Sequence, residues 1–180
     1  MAEAKNSREK ELQQPSTEFV ETVLQVRRVA KVIKGGRRLA FSALVVVGDR
    51  MGSVGVATGK SREVASAISK ALRRARKNMI AIPMYKTTIP FAVEGKHGAS
   101  RVVIRSASKG TGIIAGGAMR AIMDALGVKD ILAKSLGSSN PGNVVQATFT
   151  ALFKLRSAQQ IAHLRGKHLK DIIGESHVAA

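Results

Sequence analysis

Three groups of residues have types and spacing that could do chemistry. The first is Gly55 through Gly59-Lys60-Ser61, before a helical pattern, which suggests a phosphate-cradling loop. That loop needs four residues between its glycines, and only three separate Gly55 from Gly59. A polyanion lying across the helix start fits better, because Lys60 and free backbone N–H groups would favour phosphate there. The second group is Gly110-Thr111-Gly112-Ile113-Ile114-Ala115, a dinucleotide fingerprint with Asp130 placed 20 residues past Gly110. For that role Asp130 should end a strand, yet it falls near a segment's start. The half-chain also has too few strand–helix units for a doubly wound sheet. No general base is near, since His97 falls in an expected turn. The third group is His97, His163, His168 and His177; His163 and His168 stand five apart with no acid between them, which is not zinc-ligand spacing. The residues point away from catalysis, and no cofactor, metal or small-molecule substrate is expected.

Charge then sets the frame. The chain has 180 residues, 30 basic and 12 acidic, a net charge of +18. Such self-repulsion calls for a polyanionic partner. An anionic membrane surface is the alternative to nucleic acid, but no apolar run is long enough to span a bilayer. Glu3, Glu9, Glu11, Glu18 and Glu21, without an apolar stretch, argue against a secretory or transit leader. Cysteine is absent, which removes disulfides and thiolate chemistry and fits a reducing cytoplasm. The aromatics are only Phe19, Phe41, Tyr85, Phe91, Phe149 and Phe153. Base stacking is therefore poorly supplied, and nucleic-acid contacts should go to phosphates, sugars and groove shape.

The elements that must position these residues follow from periodicity. Residues 1–17 read as a disordered arm. Phe19, Val23 and Val26 fit a short helix, but 26–33 read better as a strand. Lys34-Gly35-Gly36-Arg37 is a turn, 39–47 a strand, 48–52 a hairpin loop and 53–58 its partner strand. A helix then starts at the Gly59-Lys60-Ser61 turn and should bury Val64, Ile68, Leu72, Ala75 and Met79. This β-β-β-α unit is the plan of a double-stranded-RNA-binding module. No acid lies between Glu21 and Asp49. The candidate phosphate contacts are Arg27, Arg28, Lys31, Lys34, Gly35, Gly36, Arg37 and Arg38 at the glycine turn. Lys60, Arg62, Arg73, Arg76 and Lys77 add to them along the helix. Residues 80–85, with Pro83, read as a connector. Beyond it the pattern predicts strands at 87–93 and 101–106, with a turn at Gly95-Lys96-His97-Gly98. A helix at 116–126, a short segment at 128–133 and a helix at 141–155 follow, the last started by Asn140 and Pro141. The fold class is α+β. Two small α/β domains are expected at 18–82 and 83–160, the second a sheet with two helices, and a basic tail at 161–180.

Several stretches, in order, resemble the small-subunit ribosomal protein five family of bacterial type. They are Val26-Arg27-Arg28-Val29-Ala30-Lys31 with Lys34-Gly35-Gly36-Arg37, then Gly48-Asp49 to Gly52, Val54-Gly55 and Gly59-Lys60. Ala75-Arg76-Lys77-Asn78-Met79-Ile80 continues them. The most specific run is GTGIIAGGAMR at 110–120, followed by Ala133-Lys134-Ser135, Gly137-Ser138 and Asn140-Pro141. The likeness spans about 19–175. It implies contact with small-subunit rRNA, with ribosomal protein four around Thr111, Gly112 and Arg120, and with ribosomal protein eight through the carboxyl-terminal part. It also implies a place near the head–body junction, the spectinomycin site and the messenger RNA path, and a role in subunit assembly and decoding accuracy. On the residues themselves, a side chain at Gly112 would be expected to collide with close backbone packing or a docked neighbour. A cation at Arg120, early in a helix, opposes the helix dipole and suggests an outside partner.

Overall fold

The computed structural model describes residues 19–173. The arm expected at 1–17 and the end of the expected tail lie outside them. The first half forms β1 (Val20–Ile33), β2 (Gly36–Gly48), β3 (Ser53–Ser61), α1 (Val64–Lys77) and β4 (Ile80–Ala81). Its sheet is antiparallel, in the order β1-β2-β3-β4. The short helix considered for Phe19, Val23 and Val26 does not form. Residues 20–33 are one continuous strand with a bulge between Val23 and Gln25, and Leu24 packs into the main core. The segment at 80–85 is not a free connector: β4 pairs with β3, and buried Ile82 donates its N–H to Gly52 O at 2.8 Å.

The glycine turn expected at the start of α1 does not exist. Gly59, Lys60 and Ser61 continue β3, with Lys60 opposite Ser42 and Ser61 opposite Phe41. Their glycines serve packing. A Cβ at Gly55 would lie 2.3 Å from Ala75 O, and one at Gly59 2.2 Å from Ala67 O. The face of α1 that meets them is correspondingly small: Ala67, Ala71 and Ala75 are buried, while Ile68 and Leu72 are half-buried and Val64 is exposed. The expected period is right, but the centre of the buried face shifts to alanine because the helix backbone comes this close to the strand.

The second half contributes β5 (Val93–His97), β6 (Ser100–Ser106), β7 (Ile113–Ile114), α2 (Gly117–Leu126), β8 (Ile131–Gly137), α3 (Pro141–Leu152), α4 (Ala158–Arg165) and α5 (Leu169–Ile173). The sheet order is β5-β6-β8-β7, with β7 parallel to β8 and the other pairs antiparallel. The strand expected at 87–93 is absent; Tyr85 and Thr88 instead exchange backbone hydrogen bonds of 2.8 and 3.0 Å around a tight turn. Pro90, which cannot donate to a ladder, delays the strand to Val93. Gly95 to His97 belong to β5 rather than to a turn, since a Cβ at Gly95 would sit 2.0 Å from Ala147 O of α3. The segment placed at 128–133 lies later, at β8, and α3 ends at Leu152, before the expected 155. Among the described residues, α4 runs into the expected tail and α5 lies within it, α4 opening with a Ser157–Gln160 capping box.

The two domains share a core. Val46 and Val54 of the first sheet cluster with Ile122, Met123 and Leu126 of α2 and with Val102, Ile104 and Val145. The run Leu44-Val45-Val46-Val47 has no polar position because β2 is covered on both sides, by α1 and by the second domain. The β2–β3 hairpin abuts the end of α2. Arg50 N donates to Ala125 O and Gly52 N to Leu126 O, both at 3.0 Å.

Gly127 caps α2 at φ +90, and a Cβ there would lie 2.1 Å from Arg50 O. Gly35, at φ +91, has open space around it. Gly35→Ala should therefore cost about 1 kcal/mol, the left-handed backbone alone. Gly127→Ala should cost at least about 3 kcal/mol, because the same strain is joined by a clash with backbone that cannot move freely. Urea unfolding of the two variants measures the difference.

Candidate nucleic-acid interface

Strand pairing decides where the cations stand. β3 pairs with β2 only from Phe41 to Gly48, so β1 and β2 run on beyond the sheet as a two-stranded ribbon. Five pairs make it, from Val29 opposite Ala40 to Ile33 opposite Gly36, closed by the turn Lys34-Gly35. Residues 30–39 are all exposed, and Val32 reaches 75%. The register divides the basic residues between two faces. Arg27, Lys31, Arg38 and Lys60 share one face, since Arg27 and Lys60 both stand opposite Ser42 and Lys31 stands opposite Arg38. Arg28 and Arg37 lie on the other. A directly opposed Lys–Arg pair destabilises a bare ribbon. An anion between the two removes that repulsion. Arg27 Nη2 also donates to Asn140 Oδ1 at 3.3 Å, so this face looks across to the start of α3 in the second domain.

The cations of α1 have mixed duties. Arg62, just before the helix, and Lys70, Arg73 and Lys77 on it are exposed and unengaged among the described residues. Arg74 donates to Thr58 O at 3.1 Å. Arg76 donates through Nε to Glu21 at 3.1 Å and lies 5.6 Å over the Phe19 ring, tying the start of β1 to the end of α1. Arg74, Arg76 and Lys77 also occupy the last turn of α1, where positive charge stabilises the helix. Part of this basic stretch therefore serves the fold. Lys60, on β3, is not at a helix start, so its phosphate role rests on the ribbon face alone.

The glycine loop before β7 is closed by its own acid. Buried Asp130 accepts hydrogen bonds through Oδ1 from Gly110 N at 2.9 Å and Gly112 N at 3.1 Å. The amides that a pyrophosphate would need are taken, and the spacing of 20 residues that suggests a ribose acid reflects this contact instead. The Gly112 hydrogen bond above all, then one from the Thr87 side chain, holds the Asp130 carboxyl below its ordinary value of 3.8, against the opposing effect of burial. Thr111 Oγ1 donates to Ser108 O at 2.8 Å. Gly112 does not back onto packed atoms: nothing lies within 4 Å of a Cβ there, and glycine is favoured by φ +76. Arg120 is exposed on the first turn of α2, its N–H bonded to Gly116 O at 2.8 Å. Thr111, Gly112 and Arg120 thus stand at the loop and helix start with no packing role that explains the arginine. No cluster of three or more residues able to hold a metal occurs among the described residues.

A lowered carboxylate pKa stabilises the fold fully above the unfolded value, and that contribution is lost as pH falls through the folded one. The amides of Gly110 and Gly112 should therefore lose exchange protection, relative to the rest of the chain, as pH drops below about 3.8. Asp130→Asn should lower stability at neutral pH and remove that local acid transition, measured by amide exchange and by urea unfolding across pH.

Comparison with known proteins follows the same division of the chain. Two family models match: "Ribosomal protein S5, N-terminal domain" over residues 19–83 and "Ribosomal protein S5, C-terminal domain" over residues 95–165. Among similar proteins, the small ribosomal subunit protein uS5 of Lawsonia intracellularis is 54% identical over 159 residues, covering 88% of this chain and 98% of its own. That of Acidithiobacillus ferrooxidans is 52% identical over 170 residues, 94% of this chain and 97% of its own. That of Granulibacter bethesdensis is 50% identical over 179 residues, 99% of this chain and 92% of its own. With both halves matched and the relatives covered nearly end to end, this chain belongs to the ribosomal protein S5 family, a family of structural ribosomal proteins and not of enzymes.

Proposed function

We propose that the protein is a structural constituent of the small ribosomal subunit that binds its rRNA through the basic ribbon and the exposed cations of α1. The observation that carries this is the ribbon's shared face, where Lys31 opposes Arg38 beside Arg27 and Lys60. Lys34, Gly35, Gly36 and Arg37 form the tip, and among the described residues nothing lies within 4 Å of a Cβ at either glycine, which leaves room for a close approach of phosphate. Arg28 on the other face of the ribbon, with Arg62 just before α1 and Arg73 and Lys77 on it, extends the positive surface. The scarcity of aromatics makes the contacts ones of phosphate and shape rather than of stacked bases. Arg76 is assigned to the rRNA more weakly, since Glu21 and Phe19 already hold it.

The loop at Thr111 and Gly112, with Arg120, is the proposed contact with ribosomal protein four. The carboxyl-terminal part, with α4 and α5, is the proposed contact with ribosomal protein eight. In this reading the ribbon lies at the head–body junction near the messenger RNA path, and the protein supports subunit assembly and decoding accuracy. The family likeness supports these assignments, as does an exposed arginine at a helix start where its charge is mildly unfavourable.

Binding of small-subunit rRNA by the full chain should weaken steeply with salt. Lys31→Gln with Arg38→Gln should lower the log–log salt slope by about 2, one for each cation lost, whereas Arg76→Gln should leave it nearly unchanged. A salt-independent affinity would refute the phosphate mode, and saturable binding of NAD or ATP would restore an enzymatic reading.

Gly112→Arg strains only a left-handed backbone in open space, and Arg120→Glu changes an exposed side chain. Both variants should fold and enter small subunits, yet shift misreading by the several-fold that a coupling of about 1–3 kcal/mol allows. A misreading reporter read beside subunit profiles tests this. Normal accuracy with full incorporation of both would show that the loop has no such partner role.

A further inference from the structure

Side-chain packing does little to hold the glycine loop at 107–112. Among the described residues nothing lies within 4 Å of a Cβ at Gly110 or Gly112, and Ser108, Lys109 and Gly110 are exposed. Hydrogen bonds fix it instead, and they lead to one place. At the start of the loop, Ala107 N donates to Thr88 Oγ1 at 3.3 Å. At its end, Gly110 N and Gly112 N donate to Asp130. The main chain beside that acid is held in turn by Thr87 O, which accepts from Lys129 N at 2.9 Å and from Asp130 N at 3.1 Å. Both flanks of the loop therefore rest on the turn at 85–88, in the segment that joins the two domains.

That turn is a firm support. Ile89 beside it is buried in the shared core, and Ile82 before it donates to Gly52 O of the first domain at 2.8 Å. The backbone pair between Tyr85 and Thr88 closes the turn, which leaves the Thr87 carbonyl and the Thr88 hydroxyl for the loop side. Lys86 is exposed at φ +53, the left-handed conformation that the first central residue of such a two-residue turn adopts.

We propose that the turn at 85–88 is a positioning element: Thr88 through Ala107, and Thr87 through the main chain at Asp130, set where Thr111, Gly112 and Arg120 are presented. The proposal rests on the reading of that loop as a partner contact and adds residues that lie outside the contact. The physical link to the first domain is a run of hydrogen bonds, Gly52 to Ile82 and then Thr87 and Thr88 to the loop. The loop thus takes its position from the junction that also carries the ribbon.

The test reads amide exchange in the full chain and misreading in cells. Thr88→Val keeps the shape of the side chain and removes the acceptor. Exchange at Ala107, Gly110 and Gly112 should quicken by about tenfold, while amides of α1 and α3 keep their protection. Thr88→Ser, which retains the oxygen, should restore the loop. Lys86→Val opposes φ +53 at an exposed site and should loosen the same three amides, whereas Lys86→Gly, with the same loss of charge, should not. In small subunits, Thr88→Val and Lys86→Val should incorporate normally and shift misreading by about twofold or more, in the direction of Gly112→Arg. Exchange that quickens alike throughout the chain would make the turn merely structural and overturn the proposal. Equal behaviour of Thr88→Val and Thr88→Ser, or of Lys86→Val and Lys86→Gly, would overturn it too. Should Thr88→Val fail to fold, the Lys86 pair decides. Shifted accuracy for Gly112→Arg and Arg120→Glu, with none for Thr88→Val and Lys86→Val, would sink this proposal alone. Normal accuracy for all four would overturn the reading of the loop, and this proposal with it.

Discussion

Backbone-to-backbone closeness is the constraint on which the rest depends. Helices sit on strands at glycine and alanine positions where one added carbon would strike a carbonyl at 2.0 to 2.3 Å: Gly55 on Ala75, Gly59 on Ala67, Gly95 on Ala147 and Gly48 on Ala125. Such approach leaves little room for large side chains in the first domain, whose α1 buries only alanines. The larger side chains collect instead between the two sheets, around α2. One core thereby serves both domains and fixes the ribbon relative to the glycine loop. Dispersion and apolar burial both act over the whole contact, so the halves stabilise each other.

The few acids are mostly engaged in holding the fold. Asp49 accepts from Met51 N at 2.7 Å and Ser53 N at 2.9 Å, closing the hairpin that abuts α2. Asp130 closes the glycine loop, while Glu21 and Glu94 pair with Arg76 and Arg101. With those carboxylates occupied, the ribbon has no counter-charge among the described residues. Its cations repel one another until an outside anion arrives. The same division explains why motifs that look catalytic are not: their glycines and their acid are already partners within the chain.

Much of this protein was legible in its residues alone. The β-branched run in 39–47, the paired glycines at 35 and 36 and the helical spacing in 116–126 are local properties, and local properties survive folding. The net charge of +18 needs no structure to call for a polyanion. Motifs taken in order carried the family resemblance. Other features could not be read from a linear string. Whether Gly59 to Ser61 turn or extend depends on Phe41 and Ser42 across the ladder. The role of Asp130 depends on a loop folding back 20 residues to meet it. Lys31 and Arg38 become one site only through strand register, which also separates them from Arg28 and Arg37. The sequence by itself determined the composition of the basic surface, the order of most elements and the family. The tertiary structure decided which cations stand free, which are tied down and where the glycine loop is held, because long-range pairing and packing set those and no periodicity encodes them.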